Sequence, residues 1–127
     1  MTEMHFGAVQ LQIMQVLWEK KRVNAREITK ALNDKSETEI AHSTIQTLLR
    51  QLEQKGAVSH MQEGRTFIFY PLVHQDIVAN SEIRKLVNRF FNGSAGELMA
   101  HLLKQETISH EELETIKILI EEKEGKS

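Results

Sequence analysis

Apolar residues recur at helical spacing three times in the first half of the chain. Between Ala8 and Lys20, the residues Leu11, Met14, Leu17 and Trp18 fall on one face and predict a first helix. A second is predicted to open at Asn24, an N-cap with Glu27 three residues on as in a capping box; Ile28, Ala31 and Leu32 form its apolar face and Asn33-Asp34 stops it. The third runs from Ser43 to Lys55 with Ile45, Leu48, Leu49 and Leu52 as its buried stripe, and Gly56 follows as a left-handed C-terminal cap. Then the period changes to two. Ala57 to Met61 reads as a strand, Glu63-Gly64 as a turn, and Arg65 to Tyr70 as a second strand, with Thr66, Ile68 and Tyr70 on one side and Phe67 and Phe69 on the other. A lone hairpin is marginal in water, so it must pack on the three helices before it.

After Pro71 the helical period returns. Asp76 to Phe91 carries Ile83, Leu86, Val87, Phe90 and Phe91, and Asn92-Gly93-Ser94 breaks it. A short helix starts at Gly96 or Glu97 with Leu98, Met99, Leu102 and Leu103 on one face. Ser109 and Glu112 form a second capping box, opening a last helix with Leu113, Ile116, Leu119 and Ile120 that ends at Gly125. The predicted fold is mainly α with a small β-hairpin: an N-terminal winged helix-turn-helix over residues 1–73, then a C-terminal helical dimerisation region over residues 74–127.

Composition narrows the class. The 127 residues suit one domain, or one small domain with an appended segment, and 40% hydrophobic with 27% charged residues excludes a disordered or fibrous chain. No apolar run approaches about 18 residues and the start lacks a basic and apolar leader, so neither membrane insertion nor a signal peptide is expected and the location expected is cytoplasmic. With no cysteine, disulfides, thiolate catalysis and zinc–cysteine sites are excluded. The net charge of −2 hides an asymmetry: residues 1–73 hold nine basic and eight acidic side chains, whereas residues 93–127 hold four and eight. A near-neutral front and an acidic tail suggest two parts with different tasks.

The third helix carries the candidate chemistry. At about 100° per residue, Ser43, Gln46, Thr47, Arg50 and Gln54 gather opposite the apolar stripe, and none is acidic. Hydroxyl, amide and guanidinium groups pair with base edges and phosphates, and the N-terminal part of such a helix reaches farthest into the major groove. Ser43, Thr44, Gln46, Thr47 and Arg50 are therefore the candidate DNA-binding residues, with Arg65 at the hairpin tip as a backbone or minor-groove contact. An ordinary solvated helix face and a solvent-exposed turn arginine account for the same residues. The C-terminal stripes (Ile83, Leu86, Val87, Phe90, Leu98, Leu102, Leu103, Leu113, Ile116 and Ile120) exceed what the front needs for its own core. A second copy of the chain is the simplest cover; folding back on the front is the other.

Enzyme and metal readings find little support. The six histidines, His5, His42, His60, His74, His101 and His110, never fall at His-x-x-x-His or His-Glu-x-x-His spacing. His42 reads as a phosphate neighbour or an exposed loop residue. There is no glycine-rich phosphate loop and no nucleophile elbow, so neither catalysis, nor a cofactor, nor a metal is expected.

Three stretches carry a resemblance: Leu11-Gln12-Ile13-Met14-Gln15-Val16-Leu17-Trp18, Ser43-Thr44-Ile45-Gln46-Thr47-Leu48-Leu49-Arg50-Gln51-Leu52 with Lys55-Gly56, and Gly64-Arg65 with Phe69-Tyr70-Pro71-Leu72. Over nearly its whole length the chain resembles the penicillinase repressor family of bacterial transcriptional repressors, which also includes methicillin-resistance and copper-transport repressors. The resemblance implies a homodimeric winged-helix repressor on a two-fold symmetric operator. In the β-lactam branch it further implies that a membrane sensor protease triggers cleavage in the dimerisation region. By register the cut bond falls at His101-Leu102, where the family has Asn-Phe, so cutting here calls for a different specificity. The copper branch's C-terminal cysteine pairs are absent. Two other classes stay open: a winged-helix protein–protein module, and a ligand-responsive regulator with a pocket at the dimer interface.

Overall fold

The computed structural model describes residues 4–105 and 107–125. Helix α1 (Ala8–Lys20) leads through strand β1 (Val23–Asn24) to α2 (Ala25–Lys35) and α3 (His42–Gln54); strands β2 (Val58–Glu63) and β3 (Thr66–Pro71) follow, then α4 (Gln75–Phe90), α5 (Ala95–Leu103) and α6 (His110–Lys123). The chain forms two compact units divided between Ser81 and Glu82, inside α4. No helix among the described residues is long and apolar enough to cross a membrane.

The front unit is a winged helix. Ile13, Met14 and Leu17 of α1, Ile28 of α2, and Ile45, Leu49 and Leu52 of α3 are fully buried together with Val23 and Val58 of the sheet. Removing each such side chain from water contributes roughly 1.5–3 kcal/mol. Val78 of α4 joins this same core. Trp18 donates its indole N–H to the carbonyl of Val73 at 2.9 Å, so the chain leaving the sheet is tied to α1.

The sheet has three strands, not two. β1 pairs with β3 (Val23 opposite Phe69, Asn24 opposite Ile68), and β3 pairs with β2 from Val58–Pro71 to Glu63–Thr66. Two residues are too short to register as an alternating pattern. Asn24 ends this strand and caps α2: its side chain accepts from Glu27 N–H while the Glu27 carboxylate accepts from Asn24 N–H. Asn33, expected to stop α2, lies inside it. Its amide instead clamps the following connection, accepting from Ile40 N–H at 2.7 Å and donating to the Ile40 carbonyl at 3.0 Å. One side chain thus orders a connection longer than a tight helix-turn-helix turn. Gly56 has φ of +84°, the left-handed conformation expected after α3.

The back unit consists of the rest of α4 with α5 and α6. Its single chain buries little: Val87 is the buried hydrophobic residue among the described ones, while Ile83, Leu86, Phe90, Met99, Leu102, Leu103, Ile118, Leu119 and Ile120 are exposed. Leu98, Leu113 and Ile116 are half-buried. α5 starts one residue before Gly96, capped by Ser94.

Ser109 accepts from Glu112 N–H and its own N–H donates to the Glu112 carboxylate. The Ser109 backbone bond first, and its hydroxyl second, hold Glu112 below the usual carboxylate range. A lowered value in the folded chain means support for α6 that is complete above the ordinary carboxylate range and lost as pH falls through the lowered value. Ser109→Ala should therefore move the Glu112 titration upward, toward that range, which a carboxyl NMR titration reads directly. An unmoved midpoint would leave the whole shift to the Ser109 backbone N–H, which alanine keeps.

Candidate nucleic-acid interface

Helix α3 divides cleanly into two faces. Ile45, Leu49 and Leu52 point into the core and Leu48 is half-buried. Ser43, Thr44, Gln46, Thr47 and Arg50 are all exposed. The Thr47 hydroxyl donates to the Ser43 carbonyl at 3.1 Å; the hydroxyl oxygen keeps its capacity to accept.

Both ends of α3 are braced. At the start, the His42 ring nitrogen Nδ1 lies 2.8 Å from Thr29 Oγ1. Thr29 gives its only hydroxyl proton to the Ala25 carbonyl, so His42 donates and the imidazole ties α3 to α2. His42 is therefore the half-buried first residue of α3, not an exposed loop residue. Near the other end, buried Gln10 of α1 donates to Gln51 Oε1 at 3.1 Å and accepts from both Gly7 N–H and the Lys55 ammonium. Lys55 also donates to the His5 carbonyl and stands 5.5 Å over the Phe6 ring.

The wing turn falls one residue later than the sequence pattern predicts. Glu63 and Thr66 are the last paired residues, so Gly64 and Arg65 form the turn. Gly64 has φ of +64°, the sign that a type II′ turn requires at its first central position. Glu63, next to the tip arginine, is already engaged: its carboxylate accepts from Arg22 at 2.9 Å, and the same guanidinium touches Met61 Sδ.

An open groove of about 540 Å³ runs between the start of α2, the outer side of α3 and the wing. Gln46, Arg50 and Arg65 line it together, which brings three of the six residues predicted for DNA contact to one surface. Ser43, Thr44 and Thr47 lie outside its lining, on the exposed face of α3. The groove adds a cation that the sequence reading missed. Arg26, in the first turn of α2, lines the same wall, and the capping box that fixes that turn is the signal that could have pointed to it. Arg26, Arg50 and Arg65 form no ion pair among the described residues. Three guanidinium groups against one carboxylate, that of Glu53, which is bonded to His60, make an anion-attracting surface that net charge conceals. No group of three or more histidine or acidic side chains able to hold a metal ion occurs among the described residues.

A family model described as "Penicillinase repressor" matches residues 6–122. The chain is 31% identical over 113 residues to the penicillinase repressor of Bacillus licheniformis, covering 89% of this chain and 87% of that protein. It is 22% identical to the methicillin resistance regulatory protein MecI of Mammaliicoccus sciuri, covering 92% of this chain and 94% of that one. It also superimposes on the solution structure of the DNA binding domain of the repressor BlaI, with a TM-score of 0.51 and 33% identity, covering 59% of this chain and 90% of that domain.

Proposed function

Because this chain belongs to the penicillinase repressor family, we propose that it is a DNA-binding transcriptional repressor, not an enzyme, that occupies a two-fold symmetric operator as a homodimer in the cytoplasm. The observation that carries this reading is the groove in which exposed Gln46 and Arg50 of α3 and Arg65 of the wing stand together, neither arginine forming an ion pair among the described residues. α3 enters the major groove with Ser43, Thr44, Gln46, Thr47 and Arg50 toward the duplex, and Arg65 meets the backbone. Arg26 adds a phosphate contact.

The back unit supplies the second half of the mechanism. Exposed Ile83, Leu86, Phe90, Leu102, Leu103 and Ile120, with half-buried Leu98, Leu113 and Ile116, are covered by the same helices of a second chain. Val87 is already buried in the single chain and serves that unit's own packing. Two joined front units then read half-sites one helical turn, or a multiple, apart. Anything that separates the chains releases the DNA. Proteolysis does so if it cuts His101-Leu102, a bond in the last turn of α5 whose His101 ring stands 5.7 Å from Phe91. A membrane sensor protease acts there only indirectly, and the helix must unwind locally to enter an extended protease cleft.

The test is a mobility-shift titration on DNA from upstream of the protein's own gene, with unrelated DNA as competitor. Saturable binding by two chains per site is expected, weakening steeply with salt. Arg50→Ala should cost about 1–3 kcal/mol and relax specificity at one base pair if the guanidinium reads a guanine edge. Even weakening on all sequences, with a flatter salt slope, would place it on phosphate instead. Binding no tighter than to random DNA at any salt concentration, together with an inert Arg50→Ala, would sink the repressor reading in favour of a protein–protein module.

A further inference from the structure

Glu53 is the only carboxylate lining the groove among the described residues, and it is tied to the wing. Its Oε1 lies 2.5 Å from Nδ1 of His60 on β2. A carboxylate only accepts, so the imidazole N–H donates. The His60 ring meanwhile lies against β3: its centroid is 4.6 Å from that of Phe67 and 5.5 Å from that of Phe69, the residue directly opposite in register. One imidazole therefore bonds α3 through its nitrogen while its ring lies tilted at 45° against the Phe67 and Phe69 rings of β3. Among the described residues no other side-chain hydrogen bond or ion pair joins α3 to β2 or β3.

The position of this link matters. The base of the wing is fixed by core packing through Val58, but β2 and β3 become exposed toward the tip. A two-stranded ribbon standing off a core is compliant, and ordering it on a ligand opposes binding. His60 is the third residue of β2, between the buried base and the exposed tip. The other cationic or imidazole groups lining the groove among the described residues are Arg26, His42, Arg50 and Arg65, with Glu53 the single acid.

We propose that His60 is a positioning residue: it sets the angle between α3 and the wing, so that the α3 face and Arg65 meet one duplex at the same time. The inference rests on the DNA-binding reading and adds a division of labour, in which Glu53 and His60 touch each other so that Arg65 can touch DNA.

The complete chain should be titrated by fluorescence anisotropy against a labelled duplex selected by the protein from a random pool. In the native background, Arg65→Ala should weaken binding roughly tenfold, as loss of a charge-assisted contact does. In a His60→Ala background, the same Arg65→Ala should cost less than about twofold, because the tip is no longer held where it contributes. Glu53→Ala should abolish the Arg65 effect equally, and combining it with His60→Ala should add nothing, since both cut one link. Partial unfolding would scale the active fraction of each pair alike and leave these ratios intact. An Arg65→Ala penalty that is equal in all backgrounds, or absent in the native one, overturns the inference while leaving the repressor reading standing. Failure of the native chain to bind any duplex in a saturable, salt-sensitive way removes that reading and this one with it.

Discussion

Phe90→Asp should convert the protein from a two-chain to a one-chain species and lower its affinity for a full operator by about 10²–10⁴-fold, the factor by which joining two binding modules exceeds one alone. Phe90 is 68% exposed in the single chain, so an aspartate there disturbs little of that chain's own packing. In a dimer that covers this face, the same carboxylate would be stripped of water without a partner, which costs several kcal/mol. Arg89, whose guanidinium lies 5.3 Å from the Phe90 ring, is close enough to pair with the new charge. Ile83→Asp, about two turns earlier on the same face of α4 and also exposed, is the check on that compensation. Sedimentation equilibrium gives the mass, and titration against full and half operators gives the affinity. Half-site affinity should stay unchanged in both variants. Persistence of the two-chain species in both would move the dimer contact off this face of α4.

Leu49→Ala should have the largest effect on stability. Leu49 is fully buried on the inner face of α3, between Ile45 and Leu52 and behind the groove. Truncating a buried leucine costs about 2–5 kcal/mol from lost transfer and the cavity left behind. Against a domain stability of roughly 5–15 kcal/mol that is a large share. The melting temperature of the front unit should fall by roughly 10 °C or more. The single tryptophan makes this easy to isolate: Trp18 belongs to the front unit and is bonded to Val73, so its fluorescence follows that unit's unfolding. A shift of a degree or two would mean that α3 is not seated by its apolar stripe. DNA contacts should survive at low temperature, because no outward residue is altered.

Much of this fold is legible along the chain because its signals are local. α1 occupies the predicted residues, and the capping boxes at Asn24/Glu27 and Ser109/Glu112 form as three-residue spacing implies. Gly56 takes the left-handed conformation that ends α3. The exposed polar face and the buried stripe of α3 follow from one period. What stayed hidden is long-range or too short. β1 has two residues and exists only because β3 passes beside it. Asn33 with Asp34 reads as a stop by residue type, yet its side chain bonds a residue seven positions on from inside α2, which no helical pattern encodes. The contacts of Gln10 with Gln51 and of Glu53 with His60 span elements of different period, so neither residue stands out in its own segment. Arg26 was missed because its importance lies in what faces it across a groove.

The braces on α3 also bear on how a repressor of this kind diversifies. His42, Gln51 and Glu53 make the bonds that hold the helix to its neighbours, whereas Ser43, Thr44, Gln46 and Arg50 make no side-chain hydrogen bond among the described residues. The anchoring positions and the outward positions are different sets. On the proposed reading, a duplicated copy could exchange its outward residues and drift to another DNA sequence with its scaffold intact, and the same separation would make those four positions the natural ones to randomise when a new target is wanted.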